Sequence, residues 1–336
     1  MEVIDNEKSK FNFVNNPYIT KYNQIVNTIN NAINTSVLKI GDPIPSVNSF
    51  SETYKVSRDT VFKAYSILKN NGIIKSVPNK GYFVSENRIK ILLLMSTFKA
   101  YKEVLYHSIL NNLPNNITID LQFHHYNIKN FELMLNASNS EYYKFIVTGF
   151  DHPGVAKALS KIEESNLLLL DWNINVKSKS NYVFQNFGKS FYESLEDALH
   201  LFKKYEAIYF IYPEFTYHPK ESLRYFEKFC KTYGFKNGII KNSKQLMVQK
   251  GVAYISVSDR MLFEFLDQCS LLNLEPGKDV GILSYNETPS KKFINKGISV
   301  VTTDFKDLGA KAAEFIINNK SMQSYLPTKL ILRGSL

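Results

Sequence analysis

Short apolar runs alternate with amphipathic helical patterns beyond residue 88, and this alternation constrains the fold more than any other feature. The runs that read as strands are residues 89–95, 117–123, 145–148, 167–171, 183–185, 207–212, 252–256, 281–284 and 299–302. Helical patterns lie between most of them, for example residues 101–113, 155–165, 191–204, 220–232 and 260–272. Strand–helix alternation of this kind predicts an α/β fold with parallel sheets, whose ligands bind beyond the carboxyl ends of the strands.

Polar and aromatic side chains follow several of these predicted strands. The candidate ligand-binding residues are Thr97, Phe98, Phe150, Asp151, His152, Asp171, Trp172, Ser258, Asp259 and Asn286, with Arg224 in the first turns of a helix. Carboxylate, amide and guanidinium groups beside aromatic rings suit a sugar, whose hydroxyls need paired donors and acceptors. Singly, each residue has an ordinary interpretation: Arg224 as a surface ion pair, His152 and Asp259 as helix caps, Trp172 as core. Their convergence at strand ends favours a ligand site.

The first 85 residues have a different pattern. A helix is predicted over residues 19–35, and the GDPIP turn follows it. Ser46 caps a second helix, Val47–Tyr54, and Ser57 caps a third, Arg58–Asn70. Residues 73–76 and 82–84 then read as two strands joined by a turn at 78–81. Two short helices joined by a turn form a helix-turn-helix, and the two strands form a hairpin behind it.

This segment carries the candidate DNA-binding residues. They are Ser46, Asn48, Ser57, Arg58, Asp59, Thr60 and Lys63 on the two helices, and Asn79, Lys80 and Gly81 at the hairpin tip. Donors at a helix N-terminus suit phosphates and base edges in a major groove, and glycine lets the hairpin backbone approach a minor groove closely. The alternative is a small helical domain whose charges are merely solvated.

The stretch PSVNSFSETYKVSRDTVFKAYSILKNNGIIKSVPNKGYFV, residues 45–84, closely resembles the winged helix of the GntR family of bacterial transcription regulators. The resemblance covers roughly residues 17–84. Asn48 stands where many members have an arginine that contacts DNA, and Phe62 replaces another frequent arginine. With fewer charges, we expect a shallower salt dependence of DNA binding.

The remainder resembles a second family, the LacI/GalR sensor domain, over residues 89–336. The stretches ISVSDRMLFEFL, VGILSYNE, VTTDFKDLGAKAAEFI and LPTKLILRGS occur in that family's order. The resemblance implies a periplasmic-binding-protein-like (type I) fold with two lobes, three crossovers and a ligand in the cleft. By match, Asp171, Arg224, Ser258 and Asn286 fall at sugar-binding positions. Asn286 replaces the usual aspartate and Ser258 the usual asparagine.

The order of the two halves is that of the arabinose-repressor subfamily of GntR regulators. This resemblance implies a DNA-binding domain at residues 1–86 and a sensor at 87–336, with lobe one at about 89–187 and 301–322 and lobe two at about 188–300 and 323–336. It also implies a homodimer, double-stranded operator DNA with two half-sites, and a monosaccharide effector of the L-arabinose, L-fucose or L-rhamnose type. The protein is expected to act as a ligand-responsive transcriptional regulator, as a repressor.

Composition bounds the remaining alternatives. The 336 residues carry a net charge of +10, which favours polyanionic partners. Cys230 and Cys269 stand far apart, which predicts reduced thiols in a cytoplasmic protein. The polar N-terminus is unlike a signal peptide, and the apolar runs are too short to cross a bilayer.

No catalytic motif appears, so neither an enzyme nor a metal or other cofactor is expected. The alternative is a cytosolic small-molecule-binding protein of the same fold without specific DNA binding.

Overall fold

The computed structural model describes residues 20–35, 37–70, 72–85, 89–114, 116–138, 142–174, 180–318 and 320–336. The N-terminal elements are α1 (Lys21–Asn34), β1 (Pro43–Ile44), α2 (Val47–Tyr54), α3 (Arg58–Asn70), β2 (Ile74–Val77) and β3 (Gly81–Val84). The predicted helix start at residue 19 lies outside the described residues.

Local signals account for the helix-turn-helix. The Ser46 hydroxyl accepts a hydrogen bond from the Ser49 amide at 3.1 Å and so caps α2. The α2 helix ends at Lys55, which adopts a left-handed φ of 51° and turns the chain towards α3. The Tyr65 ring is buried between the helices, and its hydroxyl donates to the Pro45 carbonyl at 2.8 Å. This contact fixes α3 against the start of α2.

The hairpin behind the helices is a wing with a third strand. Strands β2 and β3 pair antiparallel, and β1 pairs antiparallel with β3 on its other side. The sequence predicts only a turn at residues 41–45. The two-residue strand β1 forms there because β3 offers a free edge to it, which is a tertiary effect.

Two six-stranded sheets contain the described strands beyond residue 88. In chain order the remaining elements are β4 (Ile89–Met95), α4 (Ala100–Asn111), β5 (Ile117–Phe123), α5 (Ile128–Ser138), β6 (Lys144–Thr148), α6 (Pro153–Leu159), β7 (Leu167–Asp171), β8 (Asn181–Gln185), α7 (Lys189–Asp197), α8 (Leu199–Phe202), β9 (Ala207–Ile211), α9 (Lys220–Tyr233), β10 (Lys236–Ile240), β11 (Val252–Ser256), α10 (Asp259–Leu271), β12 (Gly281–Tyr285), β13 (Ser299–Thr303), α11 (Phe305–Asn318), β14 (Gln323–Leu326) and β15 (Thr328–Ile331). Short 3₁₀ helices occur at Glu164–Asn166, Ser243–Gln245 and Pro289–Lys292.

Each sheet forms one lobe. Lobe one has the strand order β14-β8-β7-β6-β4-β5, all parallel. Lobe two has the order β10-β9-β11-β12-β13-β15, in which the pairing of β15 with β13 is antiparallel. The predicted two-lobed α/β fold with parallel sheets is confirmed. Among the described residues, no helix is long and apolar enough to span a membrane.

The described chain passes between the lobes after β8, between β13 and α11, and between β14 and β15. These crossings correct the predicted lobe boundaries. Strand Gln323–Leu326 pairs with β8 in lobe one, not lobe two, and β13 stays in lobe two through Thr303. The last crossing is therefore at Pro327, where the chain leaves one sheet edge and joins the other.

Several elements differ from the sequence prediction. Helix α5 was not predicted; its first turn is held by the Asn127 side chain, which accepts from the amides of Lys129 and Asn130. Strand β10 was also missed, because it is an edge strand whose first residues are exposed. The predicted helices at 155–165 and 191–204 are each shorter and followed by a second short helix.

Candidate functional sites

The N-terminus of α3 presents an exposed polar surface. The Ser57 hydroxyl accepts from the Thr60 amide at 3.2 Å and lies 2.7 Å from the Thr60 hydroxyl. Arg58 and Asp59 are exposed beside it, whereas Val61 and Ala64 are fully buried. The buried face of α3 therefore packs on the domain core, and its exposed face is available to a partner.

Two further side chains shape the exposed face of α3. Lys63 is exposed, with its Nζ atom 4.3 Å from the centre of the Tyr22 ring. Phe62 is 59% exposed one turn beyond Arg58, so its ring adds apolar surface to this face. Ser46 and Asn48 are exposed at the start of α2, where the Ser46 hydroxyl is already used as a cap.

The wing tip is shaped by left-handed backbone. Asn79 has φ 59° and Gly81 has φ 103°, and the Lys80 between them is exposed. A Cβ atom on Gly81 would meet no atom within 4 Å, so its backbone stands clear of the domain. The structure therefore carries Lys80 outward on a tight turn, as the sequence predicts.

A cleft of about 1150 Å³ lies between the two lobes, with a smaller chamber of about 60 Å³ deeper inside. The predicted residues Phe150, Asp151, His152 and Trp172 line the outer cleft, and Asp171, Trp172 and Asn286 line the inner chamber. Lobe two contributes Pro213 to Leu223 around the loop before α9. Loops at the strand ends of both sheets thus meet at one site, as the topology requires.

Other predicted cleft residues have structural roles instead. The Ser258 hydroxyl caps α10 by accepting from the Met261 amide at 3.4 Å. Asp259 forms a 2.7 Å ion pair with the buried Lys291 ammonium. Phe98 is half-exposed and packs edge-on against Tyr106 and Phe123, away from the chamber.

Arg224 and Thr97 also do not line the cleft. Arg224 is exposed on α9, where Lys220, Glu221 and Leu223 of the first turn border the cleft in its place. Thr97 is partly buried beside the chamber residue Ser96. In this arrangement of the lobes Arg224 therefore lies outside the cleft lining, and its role in ligand binding stays a prediction.

The chamber contains residues that sequence reasoning missed. They are Ser96, Lys99, Tyr101, Lys102, Tyr126, Gln185, Thr216, Tyr217 and His218. Lys99 lies four residues beyond the first predicted strand, so the strand-end rule could have found it, whereas Lys102 falls within the predicted helix at 101–113. Tyr126 and Tyr217 gave no such signal, because they meet only through the folding of separate lobes.

Burial controls the charges of the chamber. The Lys102 side chain is 1% exposed and donates to the Ser96 hydroxyl, and burial lowers the pKa of its ammonium to about 8. Burial lowers the pKa of His218 to about 3, so its imidazole is neutral. Asp171 accepts a hydrogen bond from the Gln185 amide and has a left-handed φ of 76°. The chamber therefore holds fixed charges of both signs.

Buried polar atoms in the chamber lack hydrogen-bond partners within the described part of the chain. They include the Oδ1 atom of Asn286 and the Nε2 atom of His218, both from lobe two. Such atoms are costly to bury unless a ligand or water satisfies them. Their presence at the chamber supports its assignment as a binding site.

Tyr126 and Tyr217 close the chamber. Their rings stack across the lobes with centroids 3.7 Å apart and planes 2° from parallel. The chamber beneath is much smaller than the roughly 300–1,000 Å³ of small-molecule sites. A ligand therefore enters only when this ring pair separates and the lobes open.

Neither the histidine pair nor the cysteines contribute a reactive site. The His124 Nε2 atom donates to the Thr148 carbonyl at 3.0 Å, its Nδ1 atom accepts from the Tyr126 amide, and burial lowers its pKa to about 4. These contacts make Nε2 the protonated nitrogen. Cys230 and Cys269 are buried thiols whose pKa values burial raises to about 12. The described residues contain no group of three potential metal ligands.

Residues 21–84 match the family described as bacterial regulatory proteins, gntR family. The HTH-type transcriptional repressor YtrA of Bacillus subtilis is 32% identical over 84 residues, which are 25% of this chain and 64% of that protein. The chain thus spans less than two thirds of this relative. The family match at residues 21–84 includes the helix-turn-helix and the wing.

Solved structures resemble the two-lobed part. The trehalose repressor from Escherichia coli aligns with a TM-score of 0.62 at 13% identity, covering 72% of this chain and 99% of that one. A LacI family transcriptional regulator from Enterococcus faecium with bound ribose aligns with a TM-score of 0.62 at 14% identity, covering 73% and 98%. These likenesses show the fold, and with the winged helix they give the domain order that the sequence predicts.

Proposed function

We propose that this protein, a GntR-type winged helix joined to a sensor domain of the LacI-family fold, is a sugar-responsive transcriptional regulator that represses its target genes. The observation that carries the proposal is the joining, in one chain, of an exposed recognition helix and a hinged cleft with unsatisfied polar atoms. The DNA-binding domain is assigned to residues 1–86 and the sensor to residues 87–336. This function would place the protein in the cytoplasm, with its DNA.

The winged helix binds operator DNA in this proposal. Arg58 at the exposed start of α3 reads base edges in the major groove, and Lys80 on the wing contacts a phosphate. Because one short helix reads few base pairs, useful specificity requires two half-sites and hence a homodimer. Ser46, Asn48, Ser57, Asp59, Thr60, Lys63, Asn79 and Gly81 complete the proposed contact surface.

The cleft binds a monosaccharide or a close derivative, with L-arabinose, L-fucose and L-rhamnose as the first candidates. Asp171 offers a fixed carboxylate to sugar hydroxyls, and Trp172 offers a ring face to the sugar's C–H groups. Asn286 and His218 approach from the other lobe. A ligand that contacts both lobes stabilises the closed arrangement by its differential affinity for that state.

In this proposal, lobe closure acts first on the contacts at the chain crossings. Gln185 at the end of β8 accepts a 2.9 Å hydrogen bond from Thr303 at the end of β13, so chamber and hinge share a side chain. The amide of Gln185 also holds Asp171. A ligand at Asp171 therefore acts directly on a hinge contact, which is the coupling an allosteric regulator needs.

Fluorescence anisotropy with DNA from upstream of the protein's own gene tests the proposal, using the full chain with and without a monosaccharide panel. We expect binding that one panel member changes by about 5–150-fold, the usual range of allosteric coupling. Light scattering on the same samples should give a dimer. Sugar binding without any DNA binding would instead support a small-molecule-binding protein of the same fold.

A further inference from the structure

We propose that the chamber binds an anionic group of the effector, a phosphate or a carboxylate, through Lys102 and Lys99. The effector would then be a sugar phosphate or a sugar acid. This inference rests on the proposed function, because it names the chemical class of ligand for the same cleft.

Lys102 is a buried cation that is attracted by the Asp171 carboxylate across the chamber but forms no ion pair with it. Its Nζ donates to the neutral Ser96 hydroxyl and lies 5.9 Å from the centre of the Tyr101 ring. Within the described part of the chain, no carboxylate oxygen lies within 4.0 Å of this Nζ. A buried ammonium is stable when it is paired with an anion and hydrogen-bonded. The site is therefore incomplete in the ligand-free protein.

Lys291 is a buried lysine of the same protein whose ammonium group is fully paired by protein groups. It is 2% exposed, forms a 2.7 Å ion pair with Asp259 and donates to the carbonyls of Tyr285 and Asn286 at 3.0 and 2.7 Å. Its charge and its donors are thus all matched by the protein. Lys102 differs because it faces the ligand chamber and has a hydroxyl where Lys291 has a carboxylate.

The other charges of the chamber agree with an anionic ligand. Lys99 is exposed at its wall, and Lys99 precedes α4, so the positive end of the helix dipole lies at the same place. With His218 neutral, the chamber presents the ammonium groups of Lys99 and Lys102 against the carboxylate of Asp171. The net charge of the chamber is therefore positive near Lys102, whereas the Asp171 carboxylate remains available to hydroxyl groups of the ligand.

Different residues of the chamber would contact the anionic group and the hydroxyl groups of such a ligand. Its anionic oxygens would contact Lys102, Lys99 and the Ser96 hydroxyl in lobe one. Its hydroxyls would contact Asp171 and, across the cleft, the unsatisfied Asn286 amide oxygen. A phosphate and a carboxylate share this chemistry, so the probes must distinguish them.

Calorimetry on the full chain tests the inference with matched probes: D-ribose and ribose 5-phosphate, D-glucose, glucose 6-phosphate and glucuronate, L-arabinose and arabinose 5-phosphate, and inorganic phosphate. We expect at least one charged sugar to bind tenfold or more tightly than its neutral counterpart. Binding by phosphates alone, or by glucuronate alone, identifies the anionic group. If the neutral sugars bind as tightly as the charged ones, or if no charged probe binds, the inference is wrong.

Lys102→Met removes the charge while keeping much of the side-chain volume, and Lys129→Met on the exposed surface of α5 is the matched control. We expect Lys102→Met to weaken the charged sugar tenfold or more, to leave the neutral sugar within twofold, and to raise the Tm of the ligand-free protein. Equal weakening of charged and neutral sugars would show a packing role only. If a neutral sugar alone binds and still changes operator affinity, the proposed regulator function stands and this inference fails.

The pH dependence of the affinity of the wild-type protein for the charged sugar gives a second test, which needs no variant. The ligand-free pKa of Lys102 is about 8, and the groups that face it are Lys99, Tyr101, Tyr126, Asp171 and His124. Because only the protonated amine attracts the anion, affinity for the charged sugar should fall about tenfold between pH 7 and pH 9. A flat profile over this range would overturn the role of Lys102.

Discussion

Replacing Arg58 by alanine should separate sequence-specific from non-specific DNA binding. Arg58 is the first residue of α3, exposed directly after the Ser57 cap, and the buried Val61 and Ala64 hold the helix in place behind it. The change therefore removes a guanidinium from the surface without touching the core. We expect the domain to keep its stability within about 0.5 kcal/mol, as is usual for exposed positions.

The size of the effect follows from the geometry of a guanidinium on a guanine. One bidentate contact contributes about 1–3 kcal/mol of discrimination per half-site. The proposed homodimer has two such contacts, so operator binding should weaken by about 2–6 kcal/mol, or about 30-fold to more than 10,000-fold. Random-sequence DNA should lose far less, because one phosphate-directed charge per subunit is missing.

Anisotropy titrations on operator and scrambled DNA at one fixed salt concentration measure both losses. Arg58→Lys is the informative second variant, because it keeps the charge and removes the planar fork. It should resemble wild type on scrambled DNA and resemble Arg58→Ala on the operator. Lys203→Ala, an exposed change in the sensor domain, serves as the control. Equal losses on both DNAs for Arg58→Ala would refute a base-reading role.

Three further predictions concern the wing, the helix packing and pH. Lys80→Ala should weaken all DNA sequences alike and reduce the slope of log K against log salt by about 0.9 per subunit, measured by the same titrations at several salt concentrations. Gly309→Ala would place a Cβ 2.8 Å from the Leu105 carbonyl oxygen, so α11 must move from α4 and unfolding should become easier by about 1–3 kcal/mol in urea titrations. Stability should rise between pH 8 and 10, because burial lowers the pKa values of Lys144 and Lys102 to about 8 and the unfolded chain then binds more protons. It should fall again above pH 10, because Tyr254, whose pKa is raised to about 12 by burial, ionises first in the unfolded chain.

Each of these predictions has a contrary outcome. A loss confined to the operator would give Lys80 a base-reading role instead. Wild-type stability of Gly309→Ala would mean that α11 and α4 have room for a methyl group. If Lys144→Met shows the same rise in stability between pH 8 and 10 as the wild type, buried Lys144 is not its source.

Local signals were sufficient for the DNA-binding elements. Helices Val47–Tyr54 and Arg58–Asn70 have the bounds predicted from their sequence, because the serine caps and the apolar spacing act within a few residues. Strand Ile89–Met95 was likewise predicted in full, since a run buried on both faces needs no partner to be recognised. The order of strands and helices then predicted parallel α/β sheets, and the resemblance to the LacI/GalR sensor domain implied the two lobes.

Which polar side chains are free to bind a ligand in the cleft depends on the partners that tertiary packing gives them. Asp259 and Ser258 follow a strand as a ligand-binding residue would, yet Lys291 and the α10 backbone use their polar atoms. Conversely, Lys102 lies in a segment that reads as an ordinary amphipathic helix, and its importance comes from its burial against the chamber with no carboxylate oxygen within 4.0 Å in the described structure. Sequence spacing does not report which polar group is already satisfied.

The sequence by itself determined the domain order, the recognition helix and the sheet edges at which a ligand must bind, because caps, periodicity and strand direction are local or topological properties. The tertiary structure alone decided that Tyr126 and Tyr217 stack across the lobes, that Gln323–Leu326 returns to lobe one, and that Lys102 is buried against the chamber. These contacts join residues from distant parts of the chain. Their energies depend on burial and on the partners that packing supplies, which no local pattern contains.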